Sequence, residues 1–165
     1  LSSGYSNPGF YYDPTLEYFD INLYLGYRFF PGYAKNSGLI PRAGSSIGLH
    51  AEIPVSAGEG VCLRTSANSM TFSSGKSLNM YNFAAGGFWH WNFAGIMSLE
   101  TRLMIGYAWH KEGNGIDLIA GPALSVVIGN NFKLKAFAEY ETFSFNKAKS
   151  MLHTIQAGLG ASFFW

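Results

Sequence analysis

The 165-residue chain is short of charge, of cysteine and of long apolar runs, and each shortage excludes a class of protein. Charged residues make up 13%, roughly half of the ~25% usual in a soluble domain. Eleven basic residues against ten acidic ones leave a net charge of +1, so there is no electrostatic footprint for nucleic acid and no such partner is expected. A single Cys excludes an internal disulfide framework and a Cys-based zinc cage. No stretch approaches the ~18 uninterrupted apolar residues of a membrane helix; even 81–91 is broken by Asn82, Gly86, Gly87 and His90. There is no basic start followed by an apolar block, so any leader is expected to have been removed. What is plentiful is apolar and aromatic surface, 48% and 17% of the chain, which excludes disorder. The length suggests one domain. A chain too apolar for water, yet without a helix to place in lipid, points to a closed transmembrane β-barrel.

Alternation supports that reading. Over 19–30, Phe19, Ile21, Leu23, Leu25, Tyr27 and Phe29 share one parity, while Asp20, Asn22 and Arg28 share the other. Side chains of a strand point to opposite faces in turn, so one face is oily and the other wet. The split recurs over 42–55, 61–72, 77–91, 96–110, 116–128, 132–143 and 152–165. The 77–91 segment is the least regular, because Met80 and Phe88 fall on the wet side. Gly-, Asn-, Ser- and Pro-rich pieces connect the segments. Pro122, inside the 116–128 segment, predicts a bulge, since it cannot donate to a ladder. The expected architecture is all-β, an eight-stranded antiparallel up-and-down transmembrane barrel with short loops.

The oily face is assigned to lipid for three reasons. None of the basic or acidic residues interrupts an oily parity, as expected where Arg or Lys at mid-bilayer costs about 2–4 kcal/mol. Aromatics gather at segment ends: Tyr27, Phe29, Tyr107 and Trp109 form one girdle, and Trp89, Trp91, Phe163 and Trp165 the other. Amphipathic rings favour the headgroup level. The wet parity is dense in glycine, as a narrow lumen beside large ionic side chains requires.

These features, together with the closing Gly160-Ala161-Ser162-Phe163-Phe164-Trp165, resemble small eight-stranded bacterial outer-membrane proteins of the kind represented by OmpA-like transmembrane domains. The resemblance covers about residues 17–165, with 1–16 read as a periplasmic amino-terminal segment. The last residues resemble the carboxy-terminal signal read by the barrel-assembly machinery, with Trp165 where Phe is usual. The resemblance implies a Gram-negative outer membrane, periplasmic termini, a porin-like wall, and contact with outer-membrane lipids and lipopolysaccharide.

Eight strands enclose a space just wide enough for side chains to fill. Arg28, Arg42, Arg64, Arg102, Lys133, Lys135 and a protonated His50 are expected inside against Asp20, Glu52, Glu100, Asp117, Glu139 and Glu141, with Glu52, Arg64, Glu100, Arg102 and Glu139 as the central network. Such near-balance implies a structural plug of paired ions; the alternative is a narrow ion-conducting pore. The histidines are too dispersed for a shared metal site, and no cofactor is expected. His153, near Thr142 and Ser144, is the one candidate for a lipid-modifying hydrolase, and it lacks an acid partner. Cys62 is expected to be shielded inside. The outward connections are short, the longest being Pro31 to Pro41, which disfavours loop binding of large ligands. Thr65, Ala67, Ser69, Ala85 and Gly87 form a small-residue outward face suited to close approach of a membrane-protein partner. The leading expectation is a non-enzymatic structural or protein-interaction barrel, an accessory subunit of a larger complex. If the oily face meets acyl chains, Leu103→Arg lowers the unfolding free energy in lipid vesicles by about 2–4 kcal/mol, measured by urea titration.

Overall fold

The structure, a computed structural model, describes residues 18–30, 41–72, 74–93, 95–111, 113–145 and 151–165. Eight strands follow one another: β1 (Asp20–Phe29), β2 (Pro41–Ser56), β3 (Glu59–Phe72), β4 (Ser77–Asn92), β5 (Met97–His110), β6 (Gly113–Gly129), β7 (Phe132–Phe145) and β8 (Met151–Phe164). Each pairs antiparallel with its sequence neighbours, and β1 pairs with β8 to close the barrel. Closure removes every sheet edge, so the ladder satisfies backbone groups that lipid cannot. At the end bearing both termini, Phe19 and Trp165 exchange backbone hydrogen bonds of 3.1 Å. The first strand has 10 residues, whereas the other strands run to between 14 and 17. The amino-terminal segment expected over 1–16 and most of the 31–41 connection lie outside the described residues.

Period-two alternation is visible in burial. In β1, Asp20, Asn22, Tyr24 and Arg28 are buried, whereas Ile21, Leu23, Leu25, Tyr27 and Phe29 are exposed. Leu25 is 63% and Leu103 56% exposed, while Arg102 beside it is 2% exposed. A water-soluble barrel would show the reverse, because burying an ion costs far more than burying an alkyl group. The exposed apolar wall and ionic interior make this a transmembrane barrel.

Two expectations change. Pro122 causes no bulge: it pairs in register with Thr101, and the β6–β7 ladder resumes after Gly121 and Pro122 with its register unchanged. A residue without an N–H is accommodated by omitting rungs. Arg42 is not in the lumen: a register shift between Pro41 and Ala43 breaks the alternation there and leaves Arg42 exposed. Met80 and Phe88 point inward, at 0% and 5% exposure, on the side where their parity in the fourth segment put them.

The inward rings fit because glycines face them across the ladder. Phe88 pairs with Gly60, Phe137 with Gly158, and Tyr24 with both Gly48 and Gly160. A Cβ on Gly48 would stand 2.6 Å from the Tyr24 hydroxyl. Gly86 is tighter, since a Cβ there would lie 2.0 Å from the Leu103 carbonyl oxygen, whereas at Gly87 the nearest atoms are 3.7 Å away. Gly86→Ala is therefore expected to lower the urea midpoint in vesicles, and Gly87→Ala to leave it nearly unchanged.

Candidate functional site: the filled lumen and the barrel rim

Inward parity brings charges from six strands into one lumen. Toward the terminal end, Arg64 of β3 forks onto Glu139 of β7 with Nη1 and Nη2 at 2.6 and 2.7 Å from its two oxygens. Arg102 of β5 donates to Glu100, reaches Glu139 at 3.3 Å, and lies 3.2 Å from Glu52. Lys135 donates to both Glu52 oxygens at 2.5 Å and lies 3.4 Å from Glu100. Asp20 holds Lys133 and, at 3.2 Å, Lys135. The five side chains singled out from sequence thus share one connected set of ion pairs centred on Arg102, and Lys135, which sequence reading had placed only among the surrounding charges, ties that set to Asp20. Every one of them is at most 4% exposed.

A second polar layer lies toward the opposite end. Arg28 donates to Glu141 and to Asn68 at 2.7 Å. Asn82 donates to Asp117 at 2.6 Å and to Glu141 at 3.1 Å, and accepts from Ser66. Between the layers, the Arg64 guanidinium lies 5.1 Å from the Tyr24 ring and 5.8 Å from that of Phe137, rings that themselves meet edge to face at 5.2 Å. Beyond the second layer, Met70, Met80, Ala108 and Phe143 close the lumen, with Phe30, Phe72 and Leu152 packed against them. Cys62 is buried with Ala84, Phe88, Met104 and Ile119.

This interior is committed to holding itself together. Among the described residues, His50, Glu52 and Glu100 are the group with metal-ligand spacing, their donor atoms within 4.8 Å of one another. His50 Nε2 lies 3.0 Å from Glu52, but Lys135 and Arg102 already contact both carboxylates. A divalent ion would have to displace or sit against two buried cations, so the donor set does not suit one.

On the outside, His153 Nδ1 is hydrogen-bonded to the Tyr140 hydroxyl at 2.5 Å and to Thr142 Oγ1 at 3.2 Å, with its ring stacked on Tyr140. Sequence reasoning named Thr142 and missed Tyr140; alternate positions on β7, placed beside His153 by the register, carry the signal. Ser144 pairs with Met151, two positions beyond His153. The residues of the suggested contact face all point outward, Thr65 and Ser69 exposed, Ala67, Ala85 and Gly87 half-buried. They pair with large neighbours, Thr65 with Phe83 and Ala67 with Tyr81, so the small-residue surface is interrupted. The eight girdle aromatics are 42–60% exposed on the outer wall.

A closed eight-stranded barrel with an apolar wall and an ion-filled lumen is the fold of the small outer-membrane barrels. Solved structures share it. The Yersinia pestis outer membrane protein Ail in a phospholipid nanodisc is 19% identical, with 90% of this chain and 99% of that chain covered and a TM-score of 0.52. Neisserial surface protein A is 16% identical, with 88% and 95% covered and a TM-score of 0.56. Ail in complex with the heparin analogue sucrose octasulfate is 14% identical, with 90% and 97% covered and a TM-score of 0.55. No family model and no curated protein sequence matches the chain.

Removing one partner of a buried pair strands the other charge. Glu139→Gln is expected to cost about 3–5 kcal/mol in vesicle unfolding, and Arg64→Leu with Glu139→Leu together less than the sum of the two single changes.

Proposed function

We propose that the chain is a non-enzymatic barrel of the bacterial outer membrane, with a structural or protein-interaction role exercised on its outer surface. The observation that carries this reading is the lumen: among the described residues, paired ions and an apolar closure take up the interior. Connection length supports an orientation. The connections 57–58, 93–96 and 130–131 join strands at the terminal end, whereas 30–40, 73–76, 111–112 and 146–150 join them at the opposite end, 30–40 and 146–150 being the longest. Outer-membrane barrels keep short turns in the periplasm, which supports periplasmic termini. Insertion by the barrel-assembly machinery through the β8 sequence fits the same location.

The accessory-subunit reading rests on the outward face around Thr65, Ala67, Ser69, Ala85 and Gly87. Cysteines introduced at Ala67 and Gly87 should crosslink to a second membrane protein in native membranes; modification by lipid-soluble reagents alone would remove this reading. In planar bilayers the purified barrel is expected to show no stable conductance. Steady current abolished by Glu100→Gln would instead establish the narrow-pore alternative, and a His153-dependent mass change in lipid A the hydrolase.

A further inference from the structure

Outside the lumen, charge is sorted by end. Among the described residues, Arg42, Lys76 and Lys111 are exposed at the end opposite the termini, and Glu59 is exposed at the terminal end. The three cations make no ion pair with another described residue. Around the closed sheet they lie on consecutive strands and turns: Arg42 opens β2, Lys76 follows the Gly75 turn between β3 and β4, and Lys111 follows β5. In sequence, the connections at this end add Lys35, Lys147 and Lys149 and one acid, Glu112.

The wall beneath these cations also differs from the rest. Outward positions elsewhere on the barrel are overwhelmingly aliphatic or aromatic, but one rung across β2, β3 and β4 reads Ser45, Ser69, Asn79, and the next pairs Thr71 with Ser77. All five are exposed. At this end β1 presents Tyr27 and Phe29, and β5 presents Tyr107 and Trp109, so the aromatic girdle is interrupted where hydroxyls and an amide take its place. Apolar acyl chains give those groups no partner, which places this patch at headgroup level. Its chemistry is specific: cations with no ion-pair partner among the described residues for phosphate, and short neutral donors and acceptors for sugar hydroxyls.

We propose that the β2–β4 rim, with Lys111 at its flank, binds the phosphorylated saccharide headgroup of a glycolipid in the surrounding leaflet. Arg42, Lys76 and Lys111 take the phosphates, and the Ser45, Ser69, Asn79 rung takes the sugar. The idea rests on the outer-membrane reading for which leaflet is met, but the binding chemistry does not depend on it. A basic residue near an anionic surface contributes roughly fivefold in affinity.

The test uses the full chain in phosphatidylcholine nanodiscs containing a small fraction of bis-phosphorylated lipid A, with lipid retained on the purified protein quantified by mass spectrometry. Retention is expected to exceed that of dephosphorylated lipid A and of phosphatidylglycerol, and to fall by about a hundredfold in Arg42→Ser, Lys76→Ser, Lys111→Ser combined. Ser45→Ala with Ser69→Ala should weaken retention while leaving charge untouched. Circular dichroism establishes that each variant is folded. Unchanged retention in the triple variant, or equal retention of dephosphorylated lipid, would overturn the proposal. So would tighter binding of soluble polyphosphate than of lipid A. Fractionation of cells is a separate measurement: a barrel found outside the outer membrane sinks the location and leaves the headgroup site standing.

Discussion

A peptide group in hydrocarbon has no water to bond, and this constraint shapes every level of the molecule. It forces the ladder to close on itself, and the eight strands of that closed ladder set the width of the enclosed space. Closure then dictates the interior. Side chains alternate, so a wall that is apolar outward must be polar inward, and the polar residues must satisfy one another in a lumen too narrow for bulk solvent. The Arg64–Glu139 fork, the Arg102 and Lys135 bridges and the Arg28–Asn68–Glu141 cluster are the consequence. Apolar inward residues share the load by sealing the far end. Among the described residues, the surfaces this filling leaves free are the lipid-facing wall and the two rims.

How much of this was legible beforehand depends on whether a feature is carried by one strand or by the relation between strands. Parity is a single-strand property, so the outward Leu23, Leu25 and Leu103 and the inward Glu52 and Arg102 could be read directly. Register is a relation. Met80 and Phe88 look like errors of pattern until Gly60 is seen across from Phe88. Arg42 obeys the wet parity in sequence and leaves it only because the register shifts between Pro41 and Ala43. Pro122 shows the converse, since its missing donor is absorbed by the partner strand without displacing a residue. The Tyr140–His153 bond was hidden for the same reason: the two residues belong to neighbouring strands.

The rim is the least expected part. Composition reports a nearly neutral chain, because Asp13, Glu17, Glu59 and Glu112, together with one acid in excess inside the lumen, offset the bases at one end. Only the separation of inside from outside reveals the imbalance, and with it the hydroxyl patch that replaces a stretch of girdle.

The brevity of β1 bears on how the molecule is made. Its ten residues join partners at opposite ends of the chain's path, pairing Asp20 with Phe164 and with Glu52. Contacts so distant in sequence carry a heavy entropic cost until the intervening hairpins exist. β1 also carries Asp20 and Arg28, whose partners Lys133 and Glu141 stand on β7. Before that strand docks, both β7 ions face an open trough; afterwards they are neutralised. Joining the two ends of the sheet thus carries the largest loop-closure cost of any strand pairing in the barrel, and the same contact covers the two β7 ions.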